Sequence, residues 1–374
     1  MGVRIPPESL NIKMYYLMRI NKLDGLRGFC SIMVLLFHYP YEYMPDFLYN
    51  SFFIRQSWSF VDFFFVLSGF VISYNYSNIY SKRSFFSFIV KRIIRLYPLL
   101  VYTTLVFFFF KVISDIFFAE LVNSPKSIPA YTLDALNTLF LMNSTPFFGD
   151  LSVNLGMNFP SWSVSAEIIA YSLFGLTYLF FSSKKIISHF YLILISILIY
   201  LFKENTFLAD YSWLFLRAVV GFNFGCIVNW LFKKNITVNS FCELFLPLLV
   251  LAFLFLFNIY DSKQFFLLDL IVRPAFFGFV IFIILSTNNI FSKALESTPM
   301  IFLGKLSYSI YLNHVLLLLV IPRLIFVFFQ MPQTSFSQII VLIFTVIAVV
   351  VYSVITFRLV EVNVAKFLRS RLKL

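Results

Sequence analysis

The chain has 374 residues, of which 60% are hydrophobic and only 12% are charged, with 53 phenylalanines and a formal net charge of +12. Soluble proteins carry about 25% charged residues, and a soluble domain of this length could not cover so much apolar surface. The composition therefore excludes a soluble globular protein and predicts an all-α bundle of helices that cross a membrane many times.

Ten apolar runs are long enough, or nearly long enough, to cross a bilayer, which takes about 20 helical residues. In chain order the predicted spans are 29–48, 58–79, 96–118, 163–181, 187–202, 212–232, 244–258, 265–287, 306–329 and 338–357. The runs at 187–202 and 244–258 are the weakest of the ten. A shorter stretch at 131–143 predicts an outer-face helix or a re-entrant piece.

Lysine and arginine cluster in alternate connections between these spans, and cytoplasmic loops carry the excess of such residues. The sequence therefore places both termini in the cytoplasm. It predicts one membrane domain over 1–374, with a cytoplasmic segment at 1–22, an outer loop at 119–162 and a basic cytoplasmic tail at 359–374. Because the positive charge is spread over six loops, we expect membrane lipids as partners and no nucleic acid.

The first 28 residues are polar and basic, and no small-residue cleavage site follows, so the first span is expected to be an uncleaved signal-anchor. The three cysteines, Cys30, Cys226 and Cys242, lie in or beside predicted spans. An odd number without short spacings predicts neither a disulfide framework nor a metal site.

His38 is the most informative polar residue, because it lies inside the first apolar run, eleven positions after Arg27. That spacing is roughly 16 Å along a helix, which puts His38 near mid-bilayer if Arg27 marks the membrane edge. An imidazole at that depth is costly unless it faces a polar cavity, so its position predicts a functional group. A histidine that only bonds to a neighbouring helix is the alternative interpretation.

Other ionisable residues also interrupt the apolar pattern. Asp62 lies inside span two, where a carboxylate needs a partner or a proton. Arg92 and Arg95 share a helix face at the cytoplasmic start of span three; paired guanidinium groups suit phosphate, although anchoring to lipid headgroups would also explain them. The more isolated Arg217 and Arg273 are expected at the membrane interface.

Two later spans carry polar residues at helical spacing. Ser163 and Glu167 share one face near the outer start of span four. Tyr311 and His314 share a face of span nine, which either lines a cavity or bonds helix to helix. His189 stands beside a basic loop and is expected to face solvent.

Five motifs, in this order, resemble those of the acyltransferase-3 family of bacterial membrane O-acyltransferases: Leu23–Gly28 running to Phe37–His38, Asp62–Phe70, Arg92–Pro98, Trp162–Glu167 and Leu303–His314. Each motif is weak alone, but the ordered set is specific and covers most of the chain. Two departures are Ile168, where relatives carry a polar residue, and Asn313, where they often carry an aromatic one.

The resemblance implies a ten-span enzyme that moves an acetyl or other short acyl group from a cytoplasmic coenzyme A thioester. It implies acetyl-CoA as co-substrate and a lipid-linked or polymeric saccharide as acceptor, such as lipopolysaccharide O-antigen, capsule, exopolysaccharide or peptidoglycan. It also implies the cytoplasmic (inner) membrane of a bacterium. Some relatives add a span and an outer esterase-like domain; this chain is expected to lack both and to transfer the acyl group directly.

Acyl-transfer chemistry and the resemblance point to the same residues. His38 is the candidate base, and Glu167 and Asp24 are the candidate catalytic carboxylates. The candidates for binding the phosphates of the coenzyme are Arg27, Arg92 and Arg95. The candidate substrate-binding residues are Asp62, Ser68, Trp162, Ser163, Tyr311 and His314.

The predicted site is a channel that admits the donor from the cytoplasm, with His38 midway and Glu167 towards the outside. Whether His38 acts as a general base or carries the acyl group covalently is left open by the sequence. The competing class is a secondary transporter with a polar site at the membrane midplane. Against it, the two halves of the chain show no internal repeat and no matching pair of broken helices.

Overall fold

The computed structural model describes residues 20–76, 79–117, 126–145, 155–181, 185–202, 213–259 and 266–372. These residues form helices and connecting turns, with no strand among them. The principal helices are α1 (Asn21–Phe37), α2 (Phe60–Asn75), α3 (Lys82–Phe117), α4 (Ile128–Leu139), α5 (Trp162–Phe180), α6 (Lys185–Phe202), α7 (Phe215–Phe232), α8 (Leu246–Ile259), α9 (Phe266–Ser286), α10 (Thr298–Arg323), α11 (Ser335–Thr356) and α12 (Asn363–Leu372).

Nine helical stretches in the described part of the chain are long and apolar enough to cross a membrane. They are Phe52–Asn75, Lys82–Ile116, Phe159–Phe180, Lys185–Phe202, Phe215–Phe232, Ser240–Ile259, Asp269–Ser286, Thr298–Phe328 and Ser335–Leu372. With α1, which has 17 residues, they confirm an all-α polytopic membrane bundle. The two weakest predicted spans form α6 and α8. The direction in which the chain enters the membrane stays a prediction from its charge pattern.

The first span differs from its predicted bounds of 29–48. The helix begins at Asn21 and ends at Phe37, with His38 as its C-cap. Pro40 follows closely, and the residue before a proline is pushed out of helical geometry. The chain then runs through a 3₁₀ turn and short helices to α2. The predicted span starts at 29 because charged residues precede that position. One of them, Asp24, nevertheless lies inside α1 and is buried.

Two regions predicted as peripheral contain helices. The stretch expected at 131–143 as an outer-face helix or a re-entrant piece is helical as α4, Ile128–Leu139, and the side of the membrane on which it lies stays a prediction. The predicted tail at 359–374 is not separate from the bundle, because a π-helical turn, Phe357–Val362, joins α11 to α12. Glu361 in that turn is buried. Of the predicted N-terminal segment, residues 1–19 lie outside the described residues.

Two helix pairs approach so closely that only glycine fits between their backbones. A Cβ added to Gly304 of α10 would lie 2.0 Å from the carbonyl oxygen of Asp24 in α1. A Cβ added to Gly225 of α7 would lie 1.9 Å from the carbonyl oxygen of Val66 in α2. Small residues allow such contact between membrane helices, where packing rather than the hydrophobic effect drives association. These two pairs fix the positions of the polar residues described next.

Candidate active site

His38, at the end of α1, contacts His314 on α10. Nε2 of His314 lies 3.1 Å from Nδ1 of His38, and the ring centroids are 5.0 Å apart. Nδ1 of His38 is also 3.0 Å from the carbonyl oxygen of Val34, and Nδ1 of His314 is 3.2 Å from that of Ile310. His314 is fully buried, whereas His38 is partly exposed.

These contacts select one tautomer for each neutral ring. A carbonyl oxygen can only accept, so the contact with Ile310 requires the proton of His314 to be on Nδ1. Its Nε2 must then accept a proton from His38, which places the proton of His38 on Nδ1. The free lone pair of His38 is therefore on Nε2, the atom that a general base would use. In the described part of the chain, no cluster of three or more His, Cys, Asp or Glu residues could hold a metal ion.

Hydroxyl groups and aromatic rings surround the histidine pair. The Ser163 hydroxyl donates to the Tyr311 hydroxyl at 2.9 Å, and the Tyr311 hydroxyl donates to the Pro160 carbonyl at 3.1 Å. The ring of Phe159 meets His38 edge to face, with centroids 5.3 Å apart. The Tyr311 ring lies 5.9 Å from that of His314. The turn that leads into α5 therefore closes one side of the site, and Ser163 and Tyr311 lie on the His314 side of the histidine pair.

Glu167 forms a separate hydrogen-bonded cluster. Its Oε1 accepts a hydrogen bond from the Ser68 hydroxyl at 2.6 Å and another from the Tyr171 hydroxyl. The two hydroxyl groups are 3.0 Å apart. The structure thus brings Ser68 and Glu167 together, a contact that the spacing of the sequence did not predict. The group that contacts the Nδ1 side of His38 is His314, whereas a carboxylate was expected there.

The arginines predicted to bind phosphate occupy different environments. Arg95 and Arg27 expose about a third of their side chains, 36% and 31%. Nη2 of Arg95 lies 2.9 Å from Oε1 of Glu361, and Nη1 of Arg27 lies 4.0 Å from Oδ1 of Asp24. The charges of Arg27, Arg95 and Glu361 are within electrostatic range of one another, and Arg27 also interacts electrostatically with Glu167.

Arg92 lies beside these groups but is buried. Its Nη2 donates to the Tyr76 hydroxyl at 2.7 Å, and the guanidinium group lies 5.0 Å from the centre of that ring. Arg92 and Arg95, although three residues apart, therefore contact different partners. The geometry leaves Arg95 more accessible than Arg92 to a ligand.

Asp62 and Trp162 converge on an arginine that the sequence had placed at the interface. Nε and Nη2 of Arg217 donate to the two carboxylate oxygens of Asp62 at 3.1 and 2.9 Å. The guanidinium group lies 5.3 Å from the Trp162 ring and 5.1 Å from the Trp58 ring. Arg217 is thus the partner that Asp62 needed, and its interfacial depth stays a prediction.

Two expectations about polar residues are corrected. Arg273 is 1% exposed rather than interfacial, and its guanidinium group lies 4.1 Å from the Trp58 ring, with Asp269 3.1 Å from its Nε. His189 is buried rather than facing solvent, and its Nδ1 is 2.7 Å from Oδ1 of Asn223. His189 thus has a hydrogen-bonding partner on α7, and the charge of Arg273 is opposed by Asp269 one turn earlier on its own helix; apolar neighbours in the sequence reveal neither.

The order of the groups along the bundle differs from the predicted channel. Since Phe159 contacts His38, the histidine lies level with the start of α5. Glu167 comes eight residues after Phe159, which is about 12 Å along the helix axis, and it lies on the side of Arg27. Glu167 therefore lies between the arginines and His38, not beyond His38.

Several residues of this region were not found from the sequence. Arg217 is a single cation in an apolar run, and nothing in its spacing connects it to Asp62. Glu361 lies in a basic stretch that was interpreted as a tail. Tyr171 was detectable in principle, because it stands four residues after Glu167 on the same helix face.

The helix bundle defines a multi-pass membrane protein. Its interior holds a histidine pair and partly exposed arginines, the kinds of side chain that catalyse group transfer. The family model described as an acyltransferase domain matches residues 20–357. The chain therefore belongs to the acyltransferase-3 family and is a membrane acyltransferase. Comparison with curated proteins and with solved structures finds no match.

Proposed function

We propose that the protein transfers an acetyl or other short acyl group from cytoplasmic acyl-CoA to a sugar hydroxyl of a surface polysaccharide, in the inner membrane of a bacterium. The observation that carries this proposal is the His38–His314 pair, which leaves Nε2 of His38 free to accept a proton. A histidine with a free lone pair is suited to activating a hydroxyl group near neutral pH.

In the proposed reaction, Nε2 of His38 takes the proton of the acceptor hydroxyl while its oxygen attacks the thioester carbonyl. The new C–O bond forms, the C–S bond breaks, and the departing thiolate receives the proton from His38. His314 holds the His38 ring in the required tautomer and orientation, the role that a carboxylate has in a Ser-His-Asp triad. Arg27 and Arg95 would bind the coenzyme's phosphates at the other end of the site.

The acceptor would arrive at the His38 end. The segment after His38 exposes the rings of Tyr41 and Tyr49, whose centroids are 6.0 Å apart. Glu42 and Asp46 are exposed beside them. Aromatic faces can pack against the C–H faces of a sugar, and carboxylates accept hydrogen bonds from its hydroxyl groups. These residues support a saccharide acceptor.

The test compares purified wild-type protein with His38→Ala in detergent, using radiolabelled acetyl-CoA and extracted surface glycan. Loss of a general base lowers turnover by about 10²–10⁴-fold, measured as label in the glycan and as free thiol released. His189→Ala removes another buried histidine and should keep turnover near the wild-type value. Equal turnover in well-folded His38→Ala protein would remove His38 from the mechanism, and no thiol release by wild type would refute the donor.

A further inference from the structure

Glu361 is a buried carboxylate in a turn whose preceding residues face outward. On α11 and the π-helical turn, the inward-facing residues include Ser353, Thr356 and then Glu361, five positions later. A regular helix would turn residue 360 inward, and the extra residue of a π-turn moves that position to 361. Arg358 and Leu359 remain exposed. The turn therefore brings a carboxylate into the bundle.

The carboxylate is held from both sides. Oε2 of Glu361 accepts a hydrogen bond from the Ser309 hydroxyl of α10 at 2.8 Å. Oε1 lies 2.9 Å from Nη2 of Arg95, and the Glu361 side chain has no exposed surface. Arg95, by contrast, keeps a third of its side chain accessible. Glu361 is therefore the fixed member of the pair, and donor groups of Arg95 remain available to a ligand.

Glu361 also offsets a repulsion. Arg27 and Arg95 are close enough for their like charges to interact unfavourably, and Glu361 attracts both. Arg27 has its own carboxylate, Asp24, at 4.0 Å, whereas Glu361 is the carboxylate that contacts Arg95. Without Glu361, the partly exposed and flexible Arg95 side chain would move away from Arg27 into solvent. With it, both stay near one point before any donor arrives. Reducing such motion in advance strengthens binding.

We propose that Glu361, assisted by Ser309, is a positioning residue that holds Arg95 next to Arg27, so that the two arginines form a site for the phosphates of the acyl donor before it binds. The inference rests on the proposed function and goes beyond it, since Glu361 lies four residues past the region matched by the family, 20–357. The donor site would thus be completed by the C-terminal π-helical turn.

Two donors separate this role from a general structural one: acetyl-CoA, which carries phosphates, and S-acetylpantetheine, which carries none. Glu361→Gln should raise the Michaelis constant for acetyl-CoA about 10-fold and leave that for S-acetylpantetheine unchanged, as expected when a supporting contact to a ligand-binding group is lost. Ser309→Ala should act in the same direction by about 3-fold, since it removes one hydrogen bond to the carboxylate. In an Arg95→Met background, Glu361→Gln should add nothing.

Asp269→Asn is the matched control, because it also removes a buried carboxylate paired with an arginine, but at Arg273. It should leave the ratio of the two Michaelis constants unchanged. Equal effects of Glu361→Gln on both donors would show a structural role only. A lower Michaelis constant for acetyl-CoA in Glu361→Gln would show that Glu361 competes with the phosphates for Arg95. Either result overturns the inference.

Calorimetric binding of coenzyme A to the purified full-length protein separates failure of this inference from failure of the proposed function. If wild type binds coenzyme A more tightly than Glu361→Gln but transfers no acyl group, the positioning role stands and the proposed function falls. If both proteins bind equally, the positioning role falls while the proposed function stands. If wild type binds no coenzyme A, both fall.

Discussion

The two helix pairs that pack through glycine, α1 with α10 and α2 with α7, differ in how far their polar residues satisfy one another's hydrogen-bonding groups. Between α1 and α10, the His38–His314 contact ends in a free lone pair on Nε2 of His38. Between α2 and α7, both oxygens of Asp62 accept from Arg217, and aromatic rings cover the guanidinium group. Similar backbone packing thus supports one pair with proton-accepting capacity left and one pair whose charges are fully matched. The first is suited to chemistry and the second to holding the bundle together.

The largest effect should come from breaking the matched pair. Asp62→Asn or Arg217→Gln alone leaves a buried charge without its partner, and we expect a loss of about 3–5 kcal/mol in the free energy of unfolding. The double variant should recover most of that loss, because neither charge remains. Unfolding in detergent, followed by circular dichroism, measures all three. A double variant as unstable as the singles would show that the pair does not act as a unit.

His314 should matter for turnover rather than for stability. His314→Ala removes one of the two acceptors of Nδ1 of His38 and leaves the Val34 carbonyl. We expect turnover to fall by about 10–100-fold, the range seen when a group that orients a functional histidine is lost. His314→Gln should recover part of it, because an amide oxygen can accept the same hydrogen bond. The comparison uses turnover with acetyl-CoA, corrected for the folded fraction. If both variants lose the same activity, orientation of His38 by hydrogen bonding is not the role of His314.

The smallest effect tests the packing that sets the histidine distance. A Cβ on Gly304 must push α10 away from Asp24, which would shift His314 relative to His38. Small misplacements of reacting groups are costly, and we expect Gly304→Ala to lower turnover by about 10-fold. Gly278→Ala is the control, since its Cβ would meet no backbone but two side chains, Val228 at 3.1 Å and Val66 at 3.8 Å. Equal turnover in the two variants would show that the distance between α1 and α10 does not affect catalysis.

Apolar length and charge distribution were enough to predict the fold. Runs of apolar residues identify helices directly, because a bilayer leaves the backbone few other structures. Boundaries were harder, as α1 shows: Asp24 and Arg27 indicated an interface, yet the helix starts before them at Asn21. A charged residue inside a helix is tolerated when its neighbours on other helices are polar, and a single sequence does not show those neighbours.

The arrangement of the candidate site residues could not be predicted from the sequence. The motifs supplied His38, Glu167 and His314, and the structure brings His314 rather than a carboxylate against His38. Spacing within one helix tells which side chains share a face, but not which helix they meet. The pairing of Arg95 with Glu361 joins residues far apart in the sequence, so only the packed bundle reveals it.

The shortness of α1 has a consequence for the surrounding lipid. Its 17 residues extend about 25 Å, whereas the hydrocarbon layer of a bilayer is about 30 Å thick. Such hydrophobic mismatch is relieved when acyl chains next to a short helix tilt or shorten and the membrane thins locally. A thinned patch at the His38 end would bring headgroups and water down to the imidazole. The acceptor would then need no deep passage through lipid, and thicker membranes would slow the enzyme.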